Sequence, residues 1–289
     1  MKQIPLQGAV FKLNRAEEHL QTILHAVQEF GESDFYETVG EMDRQGRFVA
    51  RLRNVKHPPP EMSILIGECV FNFRSALDQI AYALAAAHTK PLPRSWARSS
   101  AFPIFNNGPQ YRGRGGAPAT RKLRGMSRGA RATIQRLQPF HRRKTPELAY
   151  LWVLEELSSI DKHRLIHLTA AVGVQSSFRI GGAGFMRMTK LEPLPVEIKD
   201  NAIAARFYGT FDIEAGVDVK AEIRPDVVFD RRSEATSVRG RSVARTLIMV
   251  RDVIGLIVLP ALGPEFERLF PELSFSAHVE DTGETIQVL

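Results

Sequence analysis

An imidazole titrates near neutrality, and with a carboxylate and a cation beside it can move protons and stabilise negative charge. The run Ile160-Asp161-Lys162-His163-Arg164 holds such a set. Projected on a helix ending there, Asp161 and Arg164 fall on the same side as Tyr150, Val153 and Leu157, toward a core. Burying either charge alone is costly, so each should meet an opposite charge from a neighbouring helix. Arg74 and Asp78, one turn apart at the edge of a second apolar stripe, are the expected partners. A network of Arg74, Asp78, Asp161 and Arg164 is therefore predicted. It has two uses: a buried structural network that fixes helix register, or a site for an anionic substrate. In the second, His163 is the general acid/base of phosphoryl chemistry and Arg74 or Arg164 stabilises the phosphorane.

Other chemistries find less. Glu156, His163 and His167 share a face, and form a workable zinc or iron ligand set, only if the helix continues past Arg164. A strand from Leu165 to Val172 would split the trio, and no metal site is assigned. No GxxxxGK[ST], GxGxxG or GxSxG motif occurs, and Gly181-Gly182-Ala183-Gly184 reads as a turn, so no cofactor is expected. The single cysteine, Cys69, excludes an intramolecular disulfide and fits a reducing, cytoplasmic setting. No signal peptide is expected at the N-terminus. The most apolar stretch, Val253 to Leu259, is far short of the roughly 20 residues of a membrane span.

Charge is distributed unevenly. The net charge is +7, yet residues 90 to 144 hold fourteen Lys and Arg and no Asp or Glu, leaving 25 basic against 32 acidic residues elsewhere. A local excess of this kind points to an anionic partner, nucleic acid or an acidic protein surface. From about Thr120 the segment turns amphipathic. Leu123, Met126, Ala130, Ile134 and Leu137 share one helical face, with Arg121, Arg124, Arg128 and Arg131 on the other. Those four arginines could bind phosphates in series, with Trp96, Tyr111 or Phe140 near enough in sequence to stack on bases; the plainer reading is a solvated face. Arg112-Gly113-Arg114-Gly115-Gly116 resembles one copy of an RNA-binding RGG repeat.

The elements that must position these residues follow from periodicity. Leu13, Leu20, Ile23, Leu24, Val27 and Phe30 predict a helix over 9–30, and Asp43-Arg44-Gln45-Gly46 a hairpin turn within 36–55. Ile66, Val70, Phe73, Leu77, Ile80 and Leu84 form an unbroken seam on a helix over 61–87. Its expected partner is a helix opened by Thr145-Pro146, with Thr145 as cap, and running through Tyr150, Val153, Leu154, Leu157 and Ile160. Strands are predicted near 176–180, 184–191, 202–211 and 217–229, with Val217, Val219, Ala221 and Ile223 on one face of the last. A final helix carries Val243, Leu247, Val250, Ile254 and Ile257 and should end at Pro260 and Gly263.

The fold class expected is α+β, with long antiparallel helices packed on a mostly antiparallel β-sheet in a single unit over 1–289. Its mainly helical part is 1–165 with the basic insert 90–144; a mainly β part, 166–232, and a C-terminal helix and tail, 233–289, follow.

Two resemblances attach to these residues. Phe73-Arg74-Ser75-Ala76-Leu77-Asp78-Gln79-Ile80-Ala81-Tyr82 resembles the LRSALDHLAY helix, and Leu157-Ser158-Ser159-Ile160-Asp161-Lys162-His163-Arg164 the LNNIDKHR segment, of a family of uncharacterised bacterial proteins. Phe102-Pro103-Ile104-Phe105 fits between them. Gln79 stands where that family has His, and Ser158 and Ser159 where it has Asn. The helical pair, with Arg on one helix and Lys-His on the other, is also similar to HEPN (higher eukaryotes and prokaryotes nucleotide-binding) domains, some of which cleave RNA. Their signature is Arg, four to six residues, then His; Arg51 to His57 and Arg136 to His141 match it no more often than chance allows at this composition. The resulting expectation is a cytoplasmic protein that binds nucleic acid, RNA ahead of DNA, in a form that includes HEPN-like ribonuclease chemistry at Arg74, Asp78, Asp161, His163 and Arg164. The competing expectation is a non-catalytic interaction or structural protein with a buried Asp/Arg network and a basic surface for an acidic partner.

Overall fold

A computed structural model describes residues 6–45, 47–183, 185–193, 198–212 and 214–271, with the side chains of 172–180, 218–225 and a few other strand positions outside the description. The fold is α+β. The first helix, α1 (Gln7–Glu32), buries Ala9, Ala16, Leu20, Ile23 and Phe30. It leads into the hairpin β1 (Glu37–Met42) and β2 (Phe48–Arg53). Asp43 builds the turn: its Oδ1 accepts the backbone N–H groups of Gln45 and Arg47 at 2.9 Å.

The long helix α2 (Pro60–His88) opens with proline in its first turn, where a missing N–H has no cost, and Glu61 complements the helix dipole there. All six seam residues from Ile66 to Leu84 are at most 2% exposed. α2 packs against α1 on one side and antiparallel to α6 (Ala149–Asp161) on another. Thr145 does not cap α6; a 3-10 turn at Pro146–Leu148 precedes it, and Thr145 Oγ1 makes no capping bond.

The β part comprises β3 (Leu168–Gly181), β4 (Phe185–Pro193), β5 (Ile203–Phe211) and β6 (Asp218–Phe229). All ladders are antiparallel, but they divide into two sheets, β1-β2-β5-β4 and β3-β6, where one was expected. Among the described residues β1 and β6 lie close without a ladder joining them. Phe48, Ala50, Ala205 and Phe207 form a small core between β2 and β5. The predicted alternation at Val219, Ala221 and Ile223 lies outside the described side chains.

The chain then returns to the helical layer. α7 (Val243–Asp252) is capped by Ser242, whose Oγ accepts from Arg245 N. A π turn at Val253–Val258 continues into α8 (Leu259–Leu269), so Pro260 and Gly263 do not end the helix. The wider π turn shifts the hydrogen-bond register immediately before Pro260, so the missing proline N–H falls where the α pattern restarts. Over its 27 residues, Val243–Leu269 is long and apolar enough by length and composition to cross a membrane, which the run Val253 to Leu259 alone understates. Here Val243, Leu247, Val250, Val253, Ile254, Val258, Leu262 and Phe266 are all buried in the core shared with α1, α2 and α6.

Candidate nucleic-acid interface

Residues 90–144 bridge α2 to α6 and fold as short helices joined by turns: α3 (Arg94–Ser99), α4 (Gly108–Tyr111) and α5 (Arg128–Arg136). The single helix expected over 120–137 is broken at Gly125, which sits at φ +86°, a conformation strongly favouring glycine. The Gly125 carbonyl accepts from Thr89 Oγ1 at 2.8 Å and lies 3.0 Å from His88 Nδ1, tying this turn to the end of α2. Ser127 then starts α5 by accepting from Ala130 N at 2.9 Å. The Ser127 hydroxyl donates to Glu265 of α8 at 2.8 Å. Burial raises the pKa of Glu265, but the hydrogen bonds from Arg268 and Ser127 outweigh it and hold the carboxyl below its usual range.

The amphipathic division survives the break. Leu123, Met126, Ala130, Ile134 and Leu137 are at most 5% exposed, while Arg121, Arg124, Arg128 and Arg131 all face solvent. Every Lys and Arg of 90–144 is exposed except the half-buried Lys122. Among the described residues none of them forms an ion pair with a carboxylate. Aromatic rings lie within this surface. Phe105, Tyr111, Phe140 and His141 stand in a row with successive centroids 5.8, 5.6 and 4.5 Å apart. Burial pushes the Tyr111 phenol up.

What anchors the basic segment is a polar clamp on α2. Arg74 is 8% exposed and donates three ways: Nε to Glu155 Oε2 at 2.8 Å, Nη1 to Asp78 Oδ1 at 2.6 Å and Nη2 to the Phe102 carbonyl at 2.9 Å. Asp78 Oδ1 also accepts Phe102 N at 2.9 Å. Gln138, fully buried, continues the pattern. Its amide donates to the Pro103 carbonyl at 2.8 Å and its Oε1 accepts Phe105 N at 3.1 Å. Side chains thus supply the backbone partners that Phe102-Pro103-Ile104-Phe105, lying outside any sheet, would otherwise lack.

The predicted network is therefore half right in geometry and wrong in membership. Arg74 and Asp78 do meet, but the third member is Glu155; Asp161 and Arg164 are elsewhere. In the antiparallel pairing of α2 with α6, Glu155 faces Arg74, and Asp161 lies two turns nearer the N-terminus of α2, against Gly67. Asp161 makes no hydrogen bond or ion pair among the described residues; burial, then the charge of Glu68, pushes its carboxyl up. Arg164 is exposed and pairs with Glu234, and His163 is exposed in the turn after α6. The five residues grouped by sequence do not converge. Glu155 escaped notice because the offset between two antiparallel helices is not encoded in either seam. Gln138 carried no signal beyond standing before Pro139.

The helix condition for a metal trio is not met, because α6 ends at Asp161 and β3 begins at Leu168. Glu156 is held instead by Ser237. Among the described residues no group of three His, Cys, Asp or Glu could hold a metal. Cys69 is buried, its thiol raised by burial and by Glu17, so thiolate chemistry is suppressed there. Comparison of the chain with protein-family models, with curated proteins and with solved structures finds no significant match.

Proposed function

We propose that this chain is a cytoplasmic protein that binds single-stranded nucleic acid, RNA ahead of DNA, on the outer surface of residues 90–144. The observation that carries this reading is a densely cationic surface without carboxylate partners among the described residues, on a segment whose inner side is packed and clamped. Cations that are not neutralised within the protein attract a polyanion, and each phosphate they engage releases condensed counterions. Binding needs no catalytic step, and the placement of Arg74 argues for a structural role: its guanidinium already serves two carboxylates and a carbonyl.

The test is affinity for a labelled single-stranded RNA across a salt series, for wild type and for Arg121, Arg124, Arg128 and Arg131 all changed to Gln. Wild type should bind with log affinity falling against log salt by roughly 0.7 for each phosphate contacted, and the variant should lose both affinity and slope. If wild type fails to bind at low salt, the nucleic-acid reading falls and an acidic protein surface becomes the partner to seek.

A further inference from the structure

We infer that the ring row of the basic segment is a stacking platform for an unpaired base, which deepens the nucleic-acid reading and rests on it. Three observations support the assignment. First, the ends of the row, Phe105 and Phe140 with His141, are only half-buried, while Tyr111 between them is 6% exposed. The aromatic cluster therefore keeps part of its ring surface open, and an open ring face can stack on a base whatever its sequence. Second, cations frame the rings. Lys122 Nζ lies 5.9 Å from the Phe105 centroid, and Arg142, held by Asn106 Oδ1 at 2.6 Å, follows directly on His141. A phosphate beside a base stacked on these rings would thus meet positive charge. Third, the Tyr111 hydroxyl has no hydrogen-bond partner among the described residues, and it is not one of the buried unpartnered side-chain atoms, so it reaches solvent at the surface of the cluster. There it can act as donor or acceptor to a ligand.

Trp96 and Tyr111 are the other stacking candidates by sequence, but Trp96 has no ring partner among the described residues and Tyr111 is too enclosed to stack. The geometry moves the stacking role to Phe140 and His141, with Phe105 at the far end. A double helix would hide its base faces from these rings, so the ligand is single-stranded.

The experiment compares a short oligouridylate with an abasic oligomer of equal length and charge, using wild type, Phe140→Leu, His141→Ala and the four-arginine variant in the intact chain. Wild type should prefer the base-bearing oligomer by roughly five- to hundredfold. Phe140→Leu and His141→Ala should lower that preference while keeping the salt slope; the arginine variant should lose the slope on both oligomers. Two ring variants are used because Phe140 also packs on Tyr111, and unfolding of one leaves the other to decide. Equal wild-type binding to both oligomers overturns the platform and leaves the cationic surface standing. So does an unchanged preference in the folded ring variants. Absence of wild-type binding to either oligomer overturns both readings together.

Discussion

Arginine occurs in two settings in this chain, one inside the helical layer and one on the basic segment, and the two behave oppositely. Arg74 is buried between α2 and α6 with both neighbouring carboxylates and a carbonyl bound to it, whereas Arg121, Arg124, Arg128 and Arg131 stand in water without an acidic partner among the described residues. The difference shows that residue type alone does not mark a functional arginine. A guanidinium satisfied inside the protein contributes to folding; one left unsatisfied on an ordered surface is available to a ligand. The two are also connected, since the clamp holds Phe102 to Phe105 against the body and so positions the cationic surface.

The sharpest way to break the comparison is to exchange the expected effects. Arg74→Met should lower unfolding stability by about 2–4 kcal/mol in urea titration; this lies below the loss for a fully buried pair because Asp78 and Glu155 are each about a third exposed and regain water. Next, Gln138→Met should cost about 1–3 kcal/mol by leaving Phe105 N and the Pro103 carbonyl without partners. Amide exchange at Phe105 should speed up with it. By contrast, each of the four surface arginines changed to Gln should alter stability by no more than about 0.5 kcal/mol. If the surface set proves as destabilising as Arg74→Met, the division between structural and available arginines is wrong.

How far this arrangement was legible in the sequence depended on whether local pattern or long-range offset decided it. The seam Ile66 to Leu84 and the inner and outer faces of the basic segment follow from spacing, and the structure places them as expected. Gly125 illustrates a local limit. Glycine within a helical pattern only weakens it, and here the break at a positive φ goes with a tertiary bond from Thr89 to the Gly125 carbonyl that no local pattern announces. Asp161 illustrates the larger limit. Periodicity places Asp161 on the side of α6 that faces α2, but which turn of α2 it meets depends on the relative slide of the two helices. A shift of two turns separated it from Arg74 and put Glu155 in its place. Division into two sheets was likewise a matter of long-range pairing.

That slide can be tested at Gly67. A Cβ there would collide with the Asp161 carboxylate, Cγ lying 2.7 Å from its position. Gly67→Ala should therefore be destabilising by about 1–3 kcal/mol despite alanine's better helix propensity. Adding Asp161→Ala should recover most of the loss, a positive coupling expected only for residues in contact. Independent, additive losses would place Asp161 elsewhere on α2.

The smallest expected effect is the pH dependence of the same aspartate. Burial first, and the Glu68 charge second, raise the Asp161 carboxyl above its ordinary value in the folded chain, and no hydrogen bond among the described residues opposes them. The folded state then binds the proton more tightly than the unfolded chain does. Stability from this group is present in acid and is lost as pH rises from the unfolded pKa through the raised folded one. Asp161→Asn removes the titration, so the variant should be more stable than wild type at neutral pH, with the advantage shrinking as pH falls through the raised folded pKa towards the usual aspartate value. Denaturation midpoints of both proteins across that range measure it. A midpoint lower in the variant at neutral pH would mean that the ionised carboxylate is stabilised in the folded chain. Asp161 would then belong with Arg74 among the satisfied charges.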